Sequence, residues 1–415
     1  MNVLWGLIGI VTLLGVAFAF SEARKAIPIR VVATGVLVQI VLALVFTHLP
    51  PAVAGIRHLS HAIDALQRAT DAGTSFVFGY LGGAALPFAE IKPGASFILA
   101  FRAFPLVLTL SALASLLLYW GVLQRVVGAL AWGLRKTVGI GGALATGAAL
   151  HIFVGMVEAP LLIRPWLRTM ARGELFALMA CGMAGIAGTM MVIYGTLLAP
   201  VIPDSLGHIL IASVIGTPAA LAVAAAMVPF QPHRGEASEI ALDNPPVNAI
   251  DAIVRGTMDG IAVLASLIAL LIVMIALVSL ANGFVSLFPD VAGAPLSLQR
   301  VFGWLFWPIL WLIGIPSQDL PAASALMGTK IVLNEFVAYV DLANLPADAL
   351  SPRSRLIMTY ALCGFANFGS LGIMVGGMTA MAPERRAEII ALGPRSILAG
   401  ALATCMSGAV IGMLT

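Results

Sequence analysis

Apolar runs close to the ~20 residues needed to cross a bilayer recur along the chain and constrain its fold more than any other feature. They cover residues 3–20, 31–46, 104–123, 175–198, 209–228, 261–280, 357–381 and 396–414. Each predicts a membrane-spanning helix, so the chain reads as an all-α polytopic membrane protein. The scarcity of charge agrees. Only 10% of the 415 residues are charged, with 60% hydrophobic, where a soluble protein carries roughly 25% charged. Mean hydropathy is +1.04. No soluble surface can be built from so few charges. This excludes a soluble globular enzyme, a disordered chain and a nucleic-acid binder; the solvent is a lipid bilayer. A net charge of +3 implies no polyanionic partner.

Local signals refine the layout. Ala17-Phe18-Ala19 has the form of a signal-peptide cleavage site. No Lys or Arg precedes it, and Arg24 and Lys25 follow, which is the wrong charge order for a leader; the first run is expected to stay as a membrane helix. Cys181, Cys363 and Cys405 lie in apolar stretches with no metal-ligand spacing and read as packing residues. With the N-terminus outside, most of the basic residues, such as Arg24, Lys25, Arg135, Lys136, Arg164, Arg172 and Arg385, fall inside. The positive-inside rule then places both termini outside the cytoplasm, with Arg300, Lys330, Arg353 and Arg355 on the minority side.

Two segments do not behave as spans. Residues 138–164 are apolar but broken by glycines and Pro160, hold His151 and Glu158, and are flanked by basic residues at both ends. That pattern predicts a re-entrant helical hairpin. Residues 315–341, with Pro316, Pro321 and Glu335, predict a second. Irregular backbone at membrane depth is tolerated only inside protein or along a wet cavity, and a matched pair in two halves marks the binding site of a secondary transporter. The halves also share letters: RGELFALMACGMA from Arg172 beside RLIMTYALCGFA from Arg355. Glycine-rich stretches at 182–188 and 364–372 then interrupt both long helices, and the second brackets Asn367 and Ser370. The layout is therefore N-terminal scaffold helices (1–123), a first repeat (124–230), a polar linker with a scaffold helix (231–300) and a second repeat (301–415), about eight spans plus two hairpins in an inverted arrangement. The polar stretch 231–246 separates the halves.

Glu158 and Glu335 are the costliest residues to place at membrane depth and are functional by default. Asp319, nearer a hairpin start, reads as a helix cap. Two carboxylates with Asn367 and Ser370 suit an uncharged, hydroxyl-rich ligand, because a carboxylate accepts two hydroxyl protons while Asn and Ser both donate and accept.

These motifs resemble a known family. The runs Asn334-Glu335-Phe336-Val337-Ala338-Tyr339, then 361–370 (ALCGFANFGS), then Ala382-Pro383-Glu384-Arg385-Arg386, with Val157-Glu158-Ala159-Pro160 in the first hairpin, are similar to those of concentrative nucleoside transporters. The resemblance spans essentially the whole chain and marks it as a bacterial member with an atypical first hairpin. It implies a homotrimer in the inner membrane, with a nucleoside as substrate and no nucleic-acid partner. It further implies that Glu335, Asn367 and Ser370 hold the ribose, that Phe365 touches the base, and that Met156, Val157, Glu158 and Met190 complete the substrate contacts. The family's first hairpin reads Gly-Gln-Thr/Ser-Glu; here Gly155-Met156-Val157-Glu158 keeps only the glutamate, so base contacts become apolar. The positions matching two of the family's sodium-ligating side chains are His151 and Gly185. Neither offers a side-chain oxygen, the donor that hard cations prefer. Sodium coupling is therefore not expected. A proton carried by His151, with Glu158 as partner, is expected as the coupling ion, and no cofactor or resident metal.

Two other classes compete. A gate-like membrane protein without transport, or a transporter of another solute on the same fold, would explain the apolar Met156 and Val157, but has no need of a buried Glu335–Asn367–Ser370 cluster. An intramembrane enzyme is disfavoured, since the six histidines are scattered and Ser370 has no recognisable base partner. ATP-driven transport within this chain is excluded because no GxxxxGK[ST] loop is present.

Overall fold

The computed structural model describes residues 2–90, 96–231, 245–291 and 293–415. The linker expected at 231–246 falls almost wholly outside the described residues. Those residues are helical apart from loops and one isolated bridge between Val291 and Ala294.

The chain opens with α1 (Asn2–Ala19) and α2 (Ile29–His48), each seated on the later helices, α1 chiefly on the C-terminal helix and α2 on the helix at Ser205–Met227. Glycines allow that contact: a Cβ at Gly9 would lie 2.6 Å from the Leu312 carbonyl oxygen, and one at Gly35 2.8 Å from that of Pro218. The first run is thus a packed helix. Next comes α3 (Pro50–Phe78), a 29-residue helix that the apolar runs did not reveal, because its letters are mixed rather than apolar. One turn, α4 (Leu99–Arg102), leads into α5 (Leu106–Tyr119), and Gly121, at φ +71°, turns the chain into the amphipathic α6 (Val122–Thr137).

The first repeat follows. Its hairpin comprises α7 (Gly142–Leu150), a turn, α8 (Glu158–Leu162) and the short α9 (Arg164–Leu167). A long helix then breaks between α10 (Arg172–Ala184) and α11 (Gly188–Leu198), and α12 (Ser205–Met227) closes the unit. Between repeats stand α13 (Ala249–Val285) and α14 (Leu298–Leu312). The second repeat has the same order: hairpin α15 (Leu320–Val332) and α16 (Glu335–Asn344), a helix broken between α17 (Pro352–Leu362) and α18 (Phe368–Met381), and the continuous α19 (Arg386–Leu414). Both glycine-rich interruptions are therefore real breaks.

Among the described residues, six helical stretches are long and apolar enough to cross a membrane, α4–α5 and the broken α10–α11 each counting as one. The other two expected spans are the shorter α1 and the broken α17–α18. The run at 261–280 proves to be part of a 37-residue helix, about 55 Å long at 1.5 Å per residue; it outruns the ~30 Å hydrocarbon layer. Helices differ sharply in surroundings. The apolar window of α12 is 89% buried inside the protein, whereas that of α13 is 11% buried and exposes residues such as Ile272, Leu277 and Phe284. α13 packs chiefly along α5; its outer face is stable only against lipid or another protein.

The four minority-side cations prove not to be free loop charges. Arg300 donates to the carbonyls of Val291, Ala294 and Pro295. Arg353 donates to those of Gly314 and Gly412, and Arg355 to those of Leu342, Leu345 and Pro346. Lys330 is fully buried and donates to Ala361. Arg353, Arg355 and Lys330 serve carbonyls at a hairpin or helix end, whereas Arg300 clamps the loop around the Val291–Ala294 bridge, whose carbonyls also accept from each other's N–H groups. Asp319 is a related correction. It precedes α15 but makes no side-chain cap there. Its carboxylate accepts from the Ser351 backbone N–H at 3.0 Å and hydroxyl at 2.7 Å, tying hairpin 2 to the start of α17.

Candidate functional site

The two helix breaks meet. The Phe365 N–H, in the α17–α18 break, donates to the Gly185 carbonyl in the α10–α11 break at 3.2 Å. Gly364 lies so close that a Cβ there would sit 2.9 Å from the carbonyl oxygens of both Met183 and Ala184. Only glycine permits this approach. Interrupted helices thus satisfy each other's freed backbone groups, as membrane depth demands.

Hairpin 2 delivers its carboxylate to this junction. Asn334 caps α16 by accepting from the Val337 N–H at 2.9 Å, which places Glu335 at the first helical position, buried. Glu335 Oε2 accepts from Asn367 Nδ2 at 2.9 Å, and Oε1 accepts from the Tyr194 hydroxyl at 2.8 Å. Asn367 works twice, because its Oδ1 also caps α18 by accepting from the Ser370 N–H at 2.7 Å. Asn367 and Ser370 are buried with it, and Phe365, within the break, is buried too. Four expected residues therefore converge. Tyr194 was missed. A single tyrosine in an apolar helix carries little signal, although it stands four residues after the expected Met190 and so shares its face of α11. Both are buried, and Tyr194 is packed against Phe336 and Tyr339.

Hairpin 1 wraps the first break. The Gly188 N–H, opening α11, donates to the Phe153 carbonyl at 3.0 Å. His151 ends α7, is buried, and its Nε2 has no hydrogen-bond partner among the described residues. Its ring lies against Gly182, with Cε1 3.1 Å from where a Cβ would stand, and its carbonyl oxygen lies 3.1 Å from the equivalent point on Gly185. His151 and Gly185 are neighbours, as their expected shared position requires. Met156 also packs on Gly182, and Val157 packs on Gly377 of α18. These two side chains fasten the hairpin tip to both broken helices.

Glu158 departs from expectation. It is exposed rather than buried, opening α8 with its carboxylate folded over Gly155. No hydrogen bond joins it to His151 among the described residues. The reason is the turn: His151 faces α10 from the end of α7, while Glu158 begins the next helix beyond Gly155. No group of three or more His, Cys, Asp or Glu residues able to hold a metal occurs among the described residues, and the three cysteines are buried and free.

Two hairpins, two broken helices in contact and one buried carboxylate held at their junction define a secondary transporter. Comparison with known proteins carries the assignment to a family. A family model described as "Na+ dependent nucleoside transporter C-terminus" matches residues 208–412, its N-terminus counterpart residues 8–81, and a "Nucleoside recognition" model residues 100–201. The transporter YutK of Bacillus subtilis is 33% identical over the full length of both chains. Mouse sodium/nucleoside cotransporter 1 is 32% identical over 98% of this chain and 63% of its own length. CNTnw, solved in an inward-facing substrate-bound state, matches at a TM-score of 0.90 with 35% identity over all of both chains. The chain belongs to the concentrative nucleoside transporter family; it is a multi-pass membrane transporter and not an enzyme.

Proposed function

We propose that the chain imports nucleosides by alternating access, that Glu335, Asn367 and Ser370 hold the ribose, and that protons rather than sodium drive the cycle. The observation that carries the ribose reading is the Glu335 carboxylate, buried between two donors at the meeting of both helix breaks. A sugar diol entering there finds an acceptor already oriented, with Asn367 and Ser370 beside it. Around it the wall is apolar: Met156, Val157, Met190 and Phe365 offer no polar atom to a base edge. Recognition therefore rests on the sugar. The cost of leaving a buried polar group without its partner is about 1–3 kcal/mol, so a 3′-deoxynucleoside should bind roughly tens-fold more weakly than its parent. Thermal-shift titration of the purified protein tests this. Free nucleobases binding as tightly as nucleosides would remove the ribose assignment.

The coupling reading rests on the buried His151 imidazole with its free Nε2, beside a glycine where a side-chain oxygen would serve sodium. An imidazole is a poor ligand for a hard cation and a good proton carrier. In proteoliposomes an inward proton gradient should stimulate uridine uptake and a sodium gradient should not, and His151→Asn should weaken the proton response. Sodium-stimulated uptake at fixed pH would refute it. A homotrimer in the inner membrane, with both termini outside the cytoplasm, completes the reading; the exposed apolar face of α13 supports the trimer, and the carbonyl-bound state of the minority-side cations supports the orientation.

A further inference from the structure

One buried charge has no place in the ribose site as described. Lys330, in the last turn of α15, is fully buried. Its Nζ donates to the Ala361 carbonyl at 2.8 Å and to Thr404 Oγ1 at 3.0 Å. The Thr404 hydroxyl donates in turn to the Ala401 carbonyl at 3.1 Å, so the direction of the hydrogen-bond chain is fixed: ammonium to hydroxyl to carbonyl. Ala361 stands where α17 breaks. In an unbroken helix its carbonyl would accept from the Phe365 N–H, but that group goes to Gly185. Lys330 therefore replaces the lost backbone donor and meets the negative end of the α17 dipole.

Neutral oxygens do not balance an ammonium in a low-dielectric interior. Glu335 does. Both are buried on hairpin 2, five positions apart across the Leu333–Asn334 turn, and each is tied to the α17–α18 break, Lys330 through Ala361 and Glu335 through Asn367, without forming a direct ion pair. A direct pair would take up a carboxylate oxygen. Instead the oxygens face hydroxyl and amide donors, the groups a sugar can replace.

We infer that Lys330 is the positioning residue for Glu335: a counter-charge pinned to the broken end of α17 that offsets the carboxylate's charge while leaving both its oxygens to donors at the site. The inference rests on the ribose reading of Glu335. Lys330 touches no substrate, and because it shares hairpin 2 with Glu335, the two charges travel together as a neutral unit when the hairpin moves.

The test is a double-mutant cycle on the full-length protein in detergent, with Lys330→Gln and Lys330→Met each combined with Glu335→Gln. Lys330→Gln keeps amide donors for Ala361 and Thr404 but removes the charge, so it separates capping from counter-charge and guards against a Met variant that fails to fold. In ligand-free melts, Lys330→Gln should lower the melting temperature clearly where Glu335 is intact. It should do so much less, or not at all, in the Glu335→Gln background, which leaves no stranded carboxylate. With Glu335 intact, the uridine affinity of Lys330→Gln should fall about ten-fold or more. Equal losses in both backgrounds, or a lowered melting temperature with unchanged uridine affinity, would reduce Lys330 to a helix cap and overturn the proposal. A wild-type protein that binds no nucleoside would defeat the ribose reading alone, since the ligand-free cycle stays readable.

Discussion

The two repeats share a backbone plan but not their polar chemistry. In the second, three helix starts are capped by side chains: Asn334 on α16, Ser351 on α17 and Asn367 on α18. At the corresponding starts of the first stand Val157, Ala171 and Ala187, none of which offers an acceptor; α10 is helped only by Glu174, which accepts from the Ala171 N–H at 3.0 Å. The second repeat thus places its polar atoms at the breaks, where Asn367 both ends an unwound stretch and orients Glu335. The first uses the same places for packing, with Met156 on Gly182 and Val157 on Gly377. One half builds the ligand's polar seat. The other packs apolar side chains against the broken helices and carries the buried, unpartnered imidazole of His151.

The sharpest way to break this contrast is Asn367→Ala. It removes a cap and a hydrogen bond to a carboxylate together, about 2–4 kcal/mol, and should weaken nucleoside binding roughly thirty- to several-hundred-fold. Ala187→Asn, at the matching place in the first repeat, should change affinity little. Isothermal titration of both variants decides; comparable effects would mean that the halves share the ligand equally.

Glycines at the two breaks give the next largest effect. A Cβ on Gly364 would meet Thr404 Cγ2 at 2.7 Å and two carbonyl oxygens at 2.9 Å, whereas one on Gly185 would meet the His151 and Cys181 carbonyl oxygens at 3.1 and 3.2 Å. Gly364→Ala should therefore destabilise by about 1–3 kcal/mol, and Gly185→Ala by less. Melting temperatures in one detergent measure the difference, and the reverse order would contradict the packing described.

Restoring polarity to hairpin 1 sharpens the comparison from the other side. Val157→Thr or Met156→Gln gives the wall a group that a base edge can use, worth about 0.5–1.5 kcal/mol. Preference among uridine, cytidine and adenosine should then spread by roughly two- to ten-fold, with the requirement for ribose hydroxyls unchanged. Competition uptake assays report it.

The smallest effect lies far from the site, just after α1 ends, beside the start of α10 and the N-terminal third of α19. There Glu22 pairs with Arg172 at 2.8 Å and with Arg395. The hydrogen bond from Arg172, followed by the charges of both arginines, holds the Glu22 carboxyl below its ordinary value despite partial burial. A depressed folded-state value means that the stabilisation is present above the unfolded-state value and is lost as pH falls through the folded one. Melting temperature should decline slightly on the acid side in wild type, and Glu22→Gln should flatten that part of the profile. The pair is partly exposed, so the change is small.

Much of this was legible in the letters. A bilayer sorts segments by length and hydropathy alone, so apolar runs announce spans, and prolines, glycines and carboxylates inside such runs announce hairpins and breaks. Glu335, Asn367 and Ser370 could be named because polar groups at membrane depth are too costly to be accidental. The same rule also named Glu158, which the structure leaves exposed, since position along a chain does not say which side of a hairpin turn is covered. The positive-inside count set Lys330, Arg353 and Arg355 on the minority side, because a cation that serves buried carbonyls looks in sequence like one that faces water.

What the sequence by itself determined is the solvent, the approximate spans, the doubled plan and the three polar residues of the second repeat, all of which follow from the cost of placing particular groups in hydrocarbon. Only the tertiary structure decided that the two breaks satisfy one another through Phe365 and Gly185, that Tyr194 takes the second oxygen of Glu335, and that Lys330 stands behind them. Those are pairings between residues tens to hundreds of positions apart. A hydrogen bond depends on where two helices meet, and no local pattern of residues carries that distance.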